Sequence, residues 1–132
     1  MMLLTKKLLA PKPLLLIALL YSCIITALFF VSGQDLPKTK IAGADKIVHI
    51  AVYFILVNFW LLYLYVKNNY ILPLKWIVTL LISITAYGII IEILQERFTS
   101  SRSADILDVV ANLFGALIGV LFFKGLKTKL KP

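Results

Sequence analysis

The sequence predicts an all-α fold: a polytopic membrane protein built as a four-transmembrane-helix bundle with both termini cytoplasmic. Three observations carry that prediction. Hydrophobic residues make up 61% of the 132-residue chain, with a mean hydropathy of +0.98, against about 45–50% apolar in soluble domains. The apolar residues fall into four long blocks, each close to the ~20 residues that cross a hydrocarbon core as helix. The charges, finally, sort by side once four spans are drawn.

The length allows one domain, 1–132, with spans at about 14–33, 47–66, 76–94 and 106–123. The blocks are continuously apolar, whereas barrel strands would alternate over about ten residues, so helices are expected. Lys6 and Lys7 ahead of the first block, with Val31-Ser32-Gly33 behind it, resemble a secretory leader. The length of the run favours a retained span. Leu20-Tyr21-Ser22-Cys23 resembles a lipidation site, but Tyr21 is too bulky for that position. Cys23 is therefore expected as a buried structural cysteine. Being the only cysteine, it excludes an internal disulfide and Cys-based metal motifs.

Trp60, Tyr63 and Tyr65 near the end of the second span, with Tyr70 and Trp76 beyond it, are expected as an interfacial aromatic belt. The segment from Lys67 to Lys75, with Pro73 just ahead of the third block, suits a tight helical hairpin.

Four spans put both termini and the second loop on one side, with nine basic residues against five on the other. The positive-inside rule makes the terminal side cytoplasmic. All six acidic residues fall on or near the opposite side, so the net charge of +8 is concentrated where anionic headgroups attract it. Nucleic acid is not needed to explain the basic character, and no nucleic-acid partner is expected.

Polar residues inside the spans fall at helical spacing. Asp45, Lys46, His49 and Tyr53 lie near one face of the second span, and Thr85, Gly88, Glu92 and Gln95 share a face of the third. Asp105, Asp108, Asn112, Gly115 and Gly119 form a stripe on the fourth, where the glycines invite close helix approach. All three stripes are most polar toward the same membrane side, so they converge on one mouth. Structural roles compete at each position: Asp45 and Asp105 suit N-caps, with Asp108 at N3, Lys46 suits snorkelling to headgroups, and His49 suits an interfacial hydrogen bond. Glu92 is expected in the last turn of its span, where the helix dipole disfavours a carboxylate unless Arg97, Arg102 or a proton meets it.

The combined pattern Asp45-Lys46-x-x-His49-x-x-x-Tyr53, Glu92-x-x-Gln95 with Arg102 beyond it, and Asp105-x-x-Asp108-x-x-x-Asn112-x-x-Gly115-x-x-x-Gly119 resembles the VanZ-like family of small bacterial membrane proteins, over about residues 45–119. The resemblance implies a multi-pass protein of the bacterial cytoplasmic membrane, in a family named for a protein that confers low-level teicoplanin resistance. By matching position it implies Asp45, Lys46, His49, Glu92, Gln95, Arg102, Asp105, Asp108 and Asn112 as a signature polar set. Glu96 and Arg97 lie outside that pattern. No established reaction comes with the family.

Three functional readings follow. In the first, a non-enzymatic envelope protein uses its outward mouth to bind a glycopeptide, an anionic lipid or a cell-wall precursor, with Lys46 and Arg102 meeting anionic groups. In the second, an intramembrane enzyme acts on a lipid-linked or phosphorylated envelope substrate, with His49 or Glu92 as base and a divalent cation on the carboxylates. The lone histidine and the lack of a nucleophile elbow or phosphate-cradling glycine loop weigh against it. The third makes the network purely architectural. The sequence favours a non-enzyme, assigns no catalytic residue, no metal site and no cofactor, and expects the lipid bilayer as partner with a homo-oligomer left open.

Overall fold

The structure is a computed structural model and describes residues 7, 9–30, 44–98 and 105–130. Four helices account for nearly all of them: α1, Pro11–Phe29; α2, Ala44–Lys67; α3, Leu74–Phe98; and α4, Ile106–Leu130. Each is long and apolar enough to cross a membrane, which makes the chain a multi-pass membrane protein. A lipid-embedded helix satisfies its own backbone, so continuous apolar runs fold this way without sheet partners.

The helix ends depart from the apolar blocks. Pro11 occupies the start of α1, where its missing N–H removes a donor that would have no helical partner. α3 runs on through Gln95, Glu96 and Arg97, and α4 through Lys124 to Leu130. Polar residues that are good helix formers carry these helices past the hydrocarbon boundary. Glu92 therefore stands well inside α3 and not in its last turn. α2 begins at Ala44, which places Asp45 within its first turn instead of ahead of it as a cap.

Helix α2 is the hub. It packs most extensively on α4, and also on α1 and α3, while among the described residues α1 makes no contact with α4. Lys46 meets Asp108, His49 meets Asn112, Asn58 meets Gly119 and Tyr65 meets Lys127, at sequence separations of 62, 63, 61 and 62 residues. A near-constant offset means that α2 and α4 run parallel and in register along their whole length. Gln95, near the end of α3, donates to the Phe29 carbonyl at the end of α1 at 2.6 Å, so those helices run the other way and the bundle is up-down-up-down.

Gly115 and Gly119 make the α2–α4 approach. A Cβ at Gly115 would sit 2.3 Å from the Ile50 carbonyl oxygen, and one at Gly119 would sit 2.3 Å from Val57 Cγ1. Elsewhere α1 is held by side-chain bonds: Tyr21 donates to the Val52 carbonyl at 2.8 Å, and the hydroxyls of Thr26 and Tyr87 meet at 2.5 Å. Leu16, Ile24, Ile82 and Leu121 point outward, as lipid-facing residues do.

Two expectations are corrected here. Cys23 is exposed on the outer face of α1, not buried. Tyr65 is 3% exposed and packs edge-on against Phe123 and Tyr70, so it belongs to the core and not to an interfacial belt. Tyr63 and Trp76 keep a boundary character, with Lys67 and Lys75 over their rings at 5.4 and 5.7 Å. The α2–α3 turn closes through Asn69 and Tyr70, both with positive φ (57° and 64°), and through the Tyr70 N–H, which reaches the Tyr65 carbonyl at 2.7 Å. Asparagine visits that region readily; tyrosine does so at a cost that its packing on Tyr65 offsets.

Substituting Gly115→Ala should lower the unfolding free energy by about 1–3 kcal/mol, because the new methyl meets backbone that cannot rotate away. Gly125→Ala has nothing within 4 Å and should be neutral or stabilising. Denaturant unfolding in mixed micelles measures both.

Candidate functional site

The start of α4 builds one wall of the mouth. Asp105 caps the helix as its spacing predicts: Oδ1 accepts the Leu107 N–H at 2.9 Å, and its carbonyl accepts the Asp108 N–H at 3.0 Å. Asp108 thereby lands in the first turn, facing α2 across the contact that the glycines set.

Lys46 fills the space between. Its ammonium reaches Asp105 Oδ2 at 2.5 Å, Asp45 Oδ2 at 3.0 Å and Asp108 Oδ1. An ammonium has three protons, and three carboxylates take them. For Lys46 to snorkel to headgroups or receive an anionic ligand, one of them, most easily the exposed Asp45, has to give way. The Asp105 carboxyl is held below the usual carboxylate range by its hydrogen bond from Lys46, helped by the one from the Leu107 N–H.

One turn deeper, His49 is 5% exposed and its ring stacks on Phe29 at 5.2 Å. Its Nδ1 lies 2.8 Å from Asn112 Oδ1. An amide oxygen only accepts, so this contact suits the tautomer with the proton on Nδ1, in which Nε2 presents a lone pair. That lone pair faces Asp108 Oδ2 across 3.7 Å, too far for a hydrogen bond.

Glu92 closes the far side from α3. It is 4% exposed; Oε2 accepts the Asp105 N–H at 3.1 Å, while Oε1 is buried without a partner. Of the two arginines expected to meet it, only Arg97 falls among the described residues. Arg97 lies exposed at the end of α3, as does Glu96, and Arg102 lies outside the described residues. Donor atoms of His49, Glu92 and Asp108 fall within 4.8 Å of one another.

The remaining predicted residues support this group from behind. Gln95 ties α3 to the Phe29 carbonyl, and Asn112 orients His49. Tyr53 is fully buried between Phe29 and Tyr87, its hydroxyl without a partner, and serves the core more than the mouth. A Cβ at Gly88 would sit 3.0 Å from Asn112 Nδ2 and 3.3 Å from the Tyr53 hydroxyl, so that glycine makes room for both. Thr85 uses its hydroxyl on the Leu81 carbonyl of its own helix. Phe29 escapes sequence reasoning altogether: its contribution is a backbone carbonyl and a ring face at the end of an apolar run, and neither leaves a polar signal.

Among the described residues, then, three carboxylates surround a single ammonium, with His49 and Glu92 beside them. A four-span helical membrane protein with a carboxylate–lysine–histidine cluster at one end of the bundle is the class that fold and site define. The chain belongs to the VanZ/LLP1 family, whose model matches residues 14–127. That match takes in α1 and the end of α4, beyond the segment that carries the polar pattern. No curated protein and no solved structure matches the chain.

Removing the partner of a buried ring nitrogen leaves it unsatisfied, at a cost of about 1–3 kcal/mol. Asn112→Ala should lower stability by that amount in micelle unfolding, and should do so less when His49 is already replaced by Phe.

Proposed function

We propose that the chain engages an envelope ligand at this mouth from the non-cytoplasmic side of the bacterial cytoplasmic membrane, and contributes thereby to resistance of the teicoplanin type for which its family is named. The observation that carries the proposal is Glu92 Oε1, a carboxylate oxygen buried at the end of the bundle without a hydrogen-bond donor facing it. An architecture built for stability alone would pair it, since an unsatisfied buried acceptor costs about 1–3 kcal/mol and a charged one more. Ionisable groups held inside a membrane protein at such cost mark ligand or ion sites as a rule. The orientation rests on the basic residues, nine on the side of the termini against five opposite.

The balance of charge determines what kind of ligand group fits. Lys46 is saturated by Asp45, Asp105 and Asp108, and Glu92 and Asp108 present oxygens beside an imidazole lone pair. Such a site favours a group that brings positive charge or hydrogen-bond donors, and disfavours a bare phosphate or carboxylate. Hydrolysis of an envelope substrate stands second. It is supported by the His49 Nε2 lone pair, which offers a base beside two carboxylates, but no serine, cysteine or threonine nucleophile accompanies it among the described residues of the cluster.

Deletion followed by complementation across a panel of envelope-directed antibiotics tests the proposal. Glu92→Gln, His49→Ala and Asp108→Asn should fall to the level of the deletion strain for teicoplanin-type drugs while reaching wild-type abundance in the membrane. Glu96→Gln, outside the cluster, should protect as wild type does. A panel on which deletion and wild type respond alike would overturn the proposal.

A further inference from the structure

We propose that His49, Glu92 and Asp108 form a binding site for a first-row divalent metal ion of the zinc or manganese class. The inference deepens the functional reading above and rests on it, naming the positive charge that the mouth takes.

Three independent features lead to it. One is convergence: residues from α2, α3 and α4, far apart in sequence, bring one donor atom each to within 4.8 Å of one another. Donors on a tetrahedral zinc stand about 3.4 Å apart for metal–ligand bonds near 2.1 Å. The widest pair therefore needs to close by up to about 1.4 Å to hold an ion, a movement that side-chain torsions supply. The second is the orphan oxygen. Glu92 is 4% exposed, Oε2 is taken by the Asp105 N–H, and Oε1 has no partner. The third is the tautomer: Asn112 takes the Nδ1 proton of His49, which is the outer hydrogen bond that metal-ligating histidines make through their second nitrogen. Phe29 stacked on the ring fixes its plane.

A shared proton accounts for these features less well. The gap of 3.7 Å between Nε2 and Asp108 Oδ2 is too long for a hydrogen bond, and a proton shared between the Glu92 and Asp108 carboxyls would leave His49 Nε2 without a partner. An ion at the centre would reach all three. One imidazole with two carboxylates suits zinc and manganese better than calcium or magnesium, which prefer oxygen alone. Three protein ligands leave coordination positions open, as in catalytic and ligand-binding sites and unlike closed structural ones. Lys46 takes the remaining oxygen of Asp108 and so orients that carboxylate for the ion.

The test uses the full chain with Cys23→Ser, purified with a histidine-free tag in lipid nanodiscs and stripped with chelator. Equilibrium dialysis against Zn2+ and, separately, Mn2+ should recover about one ion per chain for at least one of them, as expected for a single site with three protein ligands. His49→Ala, Glu92→Gln and Asp108→Asn should each weaken binding by more than about tenfold, the least that loss of a mere outer-shell partner costs. Glu96→Gln should bind as the parent does. Parent protein that retains neither ion overturns the proposal without any variant being needed, so a variant that fails to fold does not shield it. Full binding by all three variants, each monodisperse, overturns it as well. The antibiotic panel separates the two claims. Absent metal binding with lost protection by Glu92→Gln removes the ion and leaves the ligand site, whereas binding with unchanged protection establishes the ion and removes the resistance role.

Discussion

The close approach of α2 and α4 at Gly115 and Gly119 is the constraint on which the rest of the molecule depends. With Ile50 backbone against Gly115 and Val57 and Asn58 against Gly119, the two helices cannot slide or rotate without a clash. Their parallel register then determines everything at the mouth: Lys46 falls beside Asp105 and Asp108, and His49 beside Asn112. A shift of one residue would turn His49 away from its partner and strand Lys46. The site is thus a consequence of packing that lies a turn or more deeper than the site itself.

Magnitudes support that order of dependence. Interhelical hydrogen bonds in membranes contribute about 0.6 kcal/mol on average, so the few that join these helices do not hold the bundle by themselves. Lipid is as apolar as the core, and the helices associate through close packing of small residues. The polar cluster runs against stability: carboxylates around one ammonium repel one another, and Glu92 leaves an oxygen unsatisfied. The glycine packing in the middle of the bundle is what offsets the cost of such a cluster at its end.

Much of this was legible in the sequence. Continuous apolar runs leave helices as the only solution, and spacings of three and four residues expose the polar stripes and the glycine face. Asp105 announced its role because capping is local. Where legibility failed, the missing information was three-dimensional. Nothing in the order of residues says that Lys46 would be consumed by three carboxylates, since its partners depend on the register of α2 against α4. Cys23 and Tyr65 were misplaced for a related reason: when solvent and core are equally apolar, hydrophobicity does not distinguish inward from outward. Glu92 was read against a helix end that in fact lies further on, at Phe98, and its bond from the Asp105 N–H depends on how the start of α4 folds against α3. The three stripes pointed to His49, Glu92 and Asp108 meeting at one mouth, but their spacing within 4.8 Å was not legible, because it depends on how three helices pack and each contributes a single donor.

The claim that α2–α4 register creates the mouth is tested most directly by a double-mutant cycle between Lys46→Met and Asp108→Asn, read as unfolding free energy in micelles. Side chains in contact through a shared network couple by about 0.5–3 kcal/mol, so the double variant should be less destabilised than the sum of the single ones by at least the lower figure. Strictly additive effects would mean that the two residues do not meet, and would contradict the arrangement of helices from which the site has been derived.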